Sequence, residues 1–573
     1  MSDSNAAHAT EQQSAAEAFL RSLRRHGVQY IFGNFGTDHP SLLEAAAHLR
    51  EEDPTLIPEF VICPHETAAL SAAHGYAAVT GEPQVVVVHV DVGTLNLGAM
   101  LHNAYRGNAP VFIMAGVAPV TDTNHDGSRD SIVHYFQDVP DQPGILRDYC
   151  NWTYEYRPPT DPDMVVTRGL QRALTPPQGP IYVSATREAL ATPVCSPQQS
   201  NRTVRPHRSG IPDAGTISDL VETITGASMP LVITNRIGSS PGTNGFDSLV
   251  PFAEAAGAGV VEHGWPSVLS FPRNHRLHVG YDANDVIDLA DLIILASVDV
   301  PWLPAAGTPA EDTEVIQLDV DPSKRKYPHW DFRVDRSLAV DPAATLARIA
   351  ERLGPTDGTE GRDRWMSVRQ SLDEDRATTL ADHRQDDRLT ADVLSAAVND
   401  IIDDTTVILE EAVTSRPAVL NHLELTEPGS YLSSHGSGLG WAPGAAVGVK
   451  LAAPEKRVIA LVGDGAYVFS NPTANAWLAV AQDAPVMVVI YDSDGWNAVK
   501  GSTASMFPDG ASVSQGVPES RFDPTLDLSA PAEVVNAHTE LVTDPTRLAG
   551  ALQDGLTALE DGQPAVLDVK IDL

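Results

Sequence analysis

Residues 457–500, RVIALVGDGAYVFSNPTANAWLAVAQDAPVMVVIYDSDGWNAVK, constrain the fold more than any other stretch of the chain. Residues 458–462 and 486–491 are short, β-branched and free of polar side chains, the pattern of strands buried on both faces, and the alanine-rich 473–482 between them reads as a helix. A right-handed crossover makes two such strands parallel, so Asp464 and the 492–495 turn leave the sheet at the same carboxyl edge. Ligands bind open α/β sheets along that edge. Carboxylates gathered there, with no lysine or arginine close in sequence, suit a hard cation, and glycines allow the backbone to approach a phosphate bridged by it. The alternative is a pair of solvated acidic turns, common in an acidic chain.

The chain is very acidic: among 573 residues, 76 Asp and Glu face 38 Lys and Arg, a formal net charge of -38. The lysines are Lys324, Lys326, Lys450, Lys456, Lys500 and Lys570. Such a surface repels nucleic acid and anionic membranes, so neither is expected as a partner. It also suits a halophilic, salt-rich cytoplasm, where carboxylates stay hydrated and their repulsion is screened. Cys63, Cys150 and Cys195 are far apart, without a CxxC pair, which points away from a disulfide framework or a zinc site. The first residues, MSDSNAAHATEQQSAAEAF, lack the basic and apolar regions of a secretory signal, and no apolar run reaches the ~20 residues of a membrane span, so the expected location is cytoplasmic.

A length of 573 residues leads us to expect three or four domains. Residues 12–190 alternate helix and strand, with a helix over 15–26, strands at 30–32, 85–90, 111–116 and 181–185, and a loop-rich stretch from 118 to 143. Proline-, serine- and arginine-rich 191–212 reads as a linker. A second α/β block spans 213–355, with strands at 231–235, 292–296 and 315–320. The charged 356–387 reads as a further linker with some helix. The third block, 388–573, holds the opening stretch and ends in a strand at 565–571. The economical fold class is therefore α/β, with three domains built on parallel sheets.

Two further constellations lie at strand ends. In VICPHETAALSAAHGYAAVTG (61–81), Glu66 stands where a strand gives way to an alanine-rich helix. Apolar neighbours there desolvate a carboxylate and fit it to share a proton, although a glutamate at a helix start also has a purely dipolar explanation. His89 ends the run VVVVH, and Gly93 and Asn96 suit a turn opening the next helix. In block three, SYLSSHGSGLGWAPGAAVGVK carries glycines at 436, 438, 440, 444 and 448, which permit close packing against a flat cofactor or another chain.

With these motifs in place, the chain resembles over nearly its whole length the thiamine-diphosphate enzymes of the acetolactate synthase, benzoylformate decarboxylase and pyruvate decarboxylase group. The resemblance implies a pyrimidine-binding domain over 12–190, a central domain over 213–355 and a diphosphate-binding domain over 388–573. It implies thiamine diphosphate and Mg²⁺ as cofactors, held by the GDG motif Gly463, Asp464 and Gly465 and by the loop that follows. Asp464 and the carbonyl of Gly495 correspond to metal ligands. Where the family reads NNxGY, this chain reads Asp492, Ser493, Asp494, Gly495, Trp496, so Ser493 replaces the ligating asparagine, and Asp492 or a water could complete the octahedron. Trp496 falls within the cofactor loop. Leu439, beside Gly438, occupies the place of the residue that props the bent cofactor. Glu66 matches the indispensable glutamate that hydrogen-bonds N1′ of the aminopyrimidine and promotes loss of the thiazolium C2 proton. In the family the glutamate and the diphosphate site come from different subunits, which implies a homodimer at least, and a tetramer as the larger assembly.

Reaction type is less sharply marked. His89 falls on an active-site histidine of benzoylformate decarboxylase and Thr37, in GNFGTDHP, on its substrate-contacting serine. Phe136, Gln137 and Asp138 resemble instead the FQE stretch of acetolactate synthases, with Gln137 as a candidate catalytic side chain. The synthases' GPGATN is absent, and SVDVPWLP stands where an arginine-bearing flavin segment would be, so FAD is not expected. His275, in FPRNHRL, also matches a decarboxylase histidine, although a structural role is the stronger expectation. The leading reading is carboligation of acetolactate synthase type after decarboxylation of a 2-oxo acid. Nonoxidative decarboxylation and a non-catalytic cofactor-binding homologue are its alternatives. A dinucleotide oxidoreductase is disfavoured because no GxGxxG follows a strand with an acidic residue some 20 positions on.

Overall fold

The structure, a computed structural model, describes residues 12–195, 207–238, 245–353 and 360–572. The chain divides into two compact units, the first comprising Met1–Ala77 and Glu82–His207, the second Arg208–Leu573 with Ala78–Gly81. The first eleven residues, and with them most of the segment weighed as a signal, lie outside the described residues, as does half of the 191–212 linker.

In the first unit a six-stranded sheet contains β1 (Tyr30–Gly33), β2 (Glu59–Ile62), β3 (Gln84–Val88), β4 (Val111–Val117), β5 (Trp152–Glu155) and β6 (Ile181–Thr186). Every neighbouring pair is parallel and the order is β2-β1-β3-β4-β6-β5. Strand β3 is buried along its whole length, as QVVVV requires of a strand covered on both faces. Helix α1 (Pro40–Glu52) links β1 to β2, and α2 (Glu66–Thr80) links β2 to β3; β3 runs directly into α3 (Val90–Asn96). The chain thus crosses from β1 to β2 on one side and reaches β3 on the other, which opens a crevice at the carboxyl ends of β1 and β3.

The second unit holds two more parallel sheets. The central one has β7 (Pro230–Thr234), β8 (Gly259–Glu262), β9 (Leu292–Ala296), β10 (Glu314–Asp319) and β11 (Arg336–Ala339), in the order β8-β7-β9-β10-β11. The last sheet has β12 (Thr406–Glu411), β13 (Tyr431–Ser433), β14 (Arg457–Gly463), β15 (Met487–Asp492), β16 (His538–Val542) and β17 (Ala565–Lys570), in the order β13-β12-β14-β15-β17-β16. This repeats the strand order of the first unit's sheet, so β12 and β14 flank a second switch point. The fold is α/β, built on three parallel sheets. Among the described residues no helix is long and apolar enough to cross a membrane.

One segment differs from its sequence reading. The charged stretch read as a linker with some helix is a continuous 26-residue helix, α4 (Glu360–Gln385). Trp365 anchors it, fully buried, with its indole N–H donating to the Pro230 carbonyl at 2.9 Å, and glycine at 259 leaves room for the ring. The other side chains are mostly charged or polar, which is why hydropathy alone reads as linker.

Candidate active site

At the switch point of the first unit, His89 follows the last residue of β3 and Asp38 lies in the turn between β1 and α1. The Asp38 side chain is 2% exposed. Its Oδ1 hydrogen-bonds His89 Nδ1, and its Oδ2 accepts the Val90 backbone N–H at 3.1 Å. On the other side of the ring, His89 Nε2 lies 2.7 Å from the Gln137 side-chain amide. The bond to Asp38 is the largest influence on His89 and raises its pKa, against the opposing effect of burial. Glu66 opens α2, is buried, and accepts from Asn96 Nδ2 at 3.0 Å on Oε2. Gly93 stands over the other carboxylate oxygen, where a side chain would crowd Glu66 Oε1. Thr37 is exposed on the turn next to Asp38. Within this unit the structure thus brings His89 and Gln137 into contact and adds Asp38, which the sequence reading passed over.

In the second unit Asp464 is the first residue of α6 (Asp464–Phe469), directly after β14, rather than part of a free turn. Its Oδ1 accepts Gly465 N–H at 2.6 Å, while Oδ2 accepts Ser493 N–H at 3.0 Å and Gly495 N–H at 2.9 Å. Burial pushes the Asp464 carboxyl up to about 6 in spite of these amides, with Asp492 contributing further repulsion. Among the described residues no lysine, arginine or histidine pairs with it. A buried carboxylate without a counter-charge, with the Ser493 hydroxyl 3.4 Å from it, offers oxygen donors of the kind Mg²⁺ takes. Gly495 has φ +149 and a Cβ there would collide with the Ser520 carbonyl, so the loop needs glycine. A Cβ on Gly465 would meet the Trp496 indole, which packs that closely against the motif.

Asp492 is oriented elsewhere. Its Oδ1 accepts the Asp494 N–H at 2.9 Å and its Oδ2 pairs with Lys570 Nζ at 2.5 Å from β17, the next strand. The Ser493 hydroxyl receives the Asn497 amide instead. Gly438 and Leu439 lie in the irregular segment between β13 and α5 (Ala442–Ala452). His275 closes a turn, its Nδ1 accepting Leu277 N–H and its Nε2 lying 3.1 Å from Glu254 Oε1, which is a structural engagement.

The second unit also contains a cleft of about 790 Å³, whose walls include Asp282, Asp285, Asp375, Asp392, Arg376 and Arg416. At its floor Asp299, of SVDVPWLP, is held well below the usual carboxylate range: burial opposes ionisation, but Arg236, Lys324 and His435 converge on it.

Residues 13–145 match the N-terminal TPP binding domain of the thiamine pyrophosphate enzymes and residues 412–569 match the C-terminal TPP binding domain. The chain is 23% identical to benzoylformate decarboxylase of Pseudomonas aeruginosa over 96% of its own length and 97% of that protein's. It is equally, at 23%, identical to the acetolactate synthase isozyme 3 large subunit of Escherichia coli, over 98% and 95%. Among solved structures, the thiamine diphosphate-dependent 4-hydroxybenzoylformate decarboxylase of Rhodococcus jostii RHA1 superposes with a TM-score of 0.79 at 22% identity, covering 98% of this chain and 99% of that one, a likeness of fold. The chain belongs to the thiamine diphosphate-dependent enzyme family whose members act on 2-oxo acids.

Proposed function

We propose that the protein is a Mg²⁺-dependent decarboxylase of a 2-oxo acid that releases an aldehyde, with carboligation as its secondary outcome. When bound, thiamine diphosphate supplies the carbon nucleophile for the 2-oxo carbon and the electron sink for the departing CO₂. The protein's residues hold it and manage protons. Glu66 shares a proton with the aminopyrimidine. Asp464, Ser493 and the Gly495 carbonyl hold the metal, and the pairing of Asp492 with Lys570 supports leaving Asp492 out of that set. Gly463, Gly465 and Trp496 shape the diphosphate side, and Gly438 and Leu439 the support of the rings. This reading keeps the three-domain division at 12–190, 213–355 and 388–573, and a homodimer or larger homo-oligomer as the working form.

The observation that carries decarboxylation is the Asp38–His89 pair. Once CO₂ has left, the carbon behind it takes either a proton, giving an aldehyde, or a second carbonyl compound, giving an acyloin. A histidine held on a buried carboxylate, with its pKa raised, supplies that proton near neutrality. Thr37, exposed beside Asp38, is the candidate substrate contact in this reading. Carboligation keeps a claim through Gln137, whose occupation of His89 Nε2 slows protonation in competition with a second substrate. FAD stays outside this reading because SVDVPWLP stands where an arginine-bearing flavin segment would be. The test is to supply thiamine diphosphate, Mg²⁺ and a panel of 2-oxo acids in molar salt and identify products by mass spectrometry. Aldehyde as the main product supports this reading, acyloin alone favours the ligase, and no CO₂ from any acid defeats both.

A further inference from the structure

We propose that Asp38 is a positioning residue that fixes the Nδ1–H tautomer of His89, leaving Nε2 as the nitrogen that gives its proton to substrate, with the Gln137 amide as the reversible occupant of Nε2. The assignment follows from the hydrogen bonds. An ionised carboxylate only accepts, so the nitrogen facing Asp38 carries hydrogen whether His89 is neutral or charged. The neighbouring His39 also approaches Asp38, its Nδ1 3.1 Å from Oδ1, but that nitrogen accepts the Gly36 N–H at 3.0 Å and so offers Asp38 no proton, and burial lowers the pKa of its ring.

The surroundings are built around this pair. A Cβ on Gly36 would overlap His89 Nδ1, and one on Gly116, from β4, would overlap Asp38 Oδ2. Val90, which donates to that same oxygen, sits at φ +29, a conformation a β-branched residue rarely adopts. Two absent side chains and one strained backbone residue therefore converge on holding a single carboxylate against one ring. The other ionisable groups that face His89 are Asp91 on α3 and Glu66 on α2, with His39 from the β1–α1 turn, and of the ionisable groups Asp38 is the one that bonds the ring.

Gln137 is neutral and its amide can turn over. It donates N–H to Nε2 of the neutral ring; to the charged ring it must present its carbonyl oxygen instead. In turnover the Nε2–H proton passes to the carbon that CO₂ has left. The ring, still bonded to Asp38 through Nδ1, regains a proton from water. Net, a 2-oxo acid becomes an aldehyde and CO₂.

The catalytic part of this proposal rests on the decarboxylase reading, and the experiment separates the two. Histidine-selective ¹⁵N labelling of the full-length protein, with the His89 signals assigned against His89→Gln, gives the tautomer and the titration of the ring directly. Wild type should show Nδ1–H in the neutral form. Asp38→Asn should lower the titration midpoint by about one pH unit or more, because the opposing charge is gone. In turnover, kcat of that variant should fall on the order of 10²-fold and its alkaline limb should move down with the ring, with KM little changed. A misfolding or merely structural effect would lower activity at every pH and leave the limb in place. If Asp38→Asn does not fold, the wild-type tautomer decides alone. An Nε2–H tautomer, or a midpoint unmoved in Asp38→Asn, overturns the proposal. A midpoint that moves in a protein that decarboxylates nothing upholds the Asp38 assignment and defeats the functional reading.

Discussion

Replacing Glu411 with glutamine tests how the segment carrying Gly438 and Leu439 is held. Glu411 ends β12 and is 4% exposed. Its Oε1 accepts the N–H groups of Gly440 at 2.8 Å and Trp441 at 3.1 Å, and its Oε2 that of Ala442 at 2.8 Å. These amides open α5, whose N-cap residue Trp441 supplies no side-chain acceptor, so Glu411 caps that helix from a neighbouring strand. Burial is the dominant influence and pushes the carboxyl from its ordinary 4.5 up to about 7, with Glu410 adding repulsion and the three amides pulling down. A carboxyl raised on folding favours the folded state while it is protonated. That contribution is complete below pH 4.5 and is lost as pH rises through about 7, amounting to about 3 kcal/mol between those limits.

Glutamine keeps the shape, never ionises, and turns a donor toward one of the three amides, which costs about 1–3 kcal/mol for the N–H left unpaired. The two effects separate by pH, since only the charge effect depends on it. From pH 5 to pH 8 the stability of wild type relative to Glu411→Gln should decline by about 2–3 kcal/mol. The assay is urea unfolding at both pH values in molar salt, with hydrogen exchange of the 440–442 amides as the local readout. A difference between the two proteins that is the same at both pH values would refute the elevated carboxyl. Unchanged exchange at 440–442 would refute the capping role.

Three other perturbations bear on the site itself. Glu66→Gln should retain cofactor by calorimetry yet lose on the order of 10² to 10⁴ in rate, and undiminished turnover removes Glu66 from the chemistry. Asp464→Ala should abolish Mg²⁺-dependent binding of thiamine diphosphate while circular dichroism stays native, and saturation at the wild-type Mg²⁺ concentration contradicts the metal assignment. Gly495→Ala should weaken cofactor binding by about tenfold or more, because φ +149 and the Ser520 carbonyl both oppose a side chain there; wild-type affinity would show that the loop moves freely.

Side chains legible in the sequence were those whose chemistry is local. Val458, Val462 and the run ending at Tyr491 announce buried parallel strands because both faces of the sheet are covered, and Asp464 and Glu66 announce themselves by standing where such strands end. The strands that went unread include WTYE at 152–155, RSLA at 336–339 and HTELV at 538–542. Each lies at a sheet edge, where one side of the ladder is open and polar residues are tolerated, so no apolar run marks it. The site's missing members follow a related rule. Nothing near Asp492 in sequence reveals Lys570, because their pairing depends on β15 and β17 being neighbours although β16 intervenes in the chain. Asp38 looks like an ordinary turn residue before a helix, and its partner lies 51 positions away. Its purpose becomes visible only with the two glycines that leave it room, and Gly116 comes from a strand three further along the chain than the one preceding Asp38. A carboxylate whose neighbours have given up their side chains is placed by the fold as a whole. That is why the Asp38–His89 pair, rather than the more conspicuous acidic turn at 492–495, is where a change of one side chain should most directly alter which product the enzyme releases.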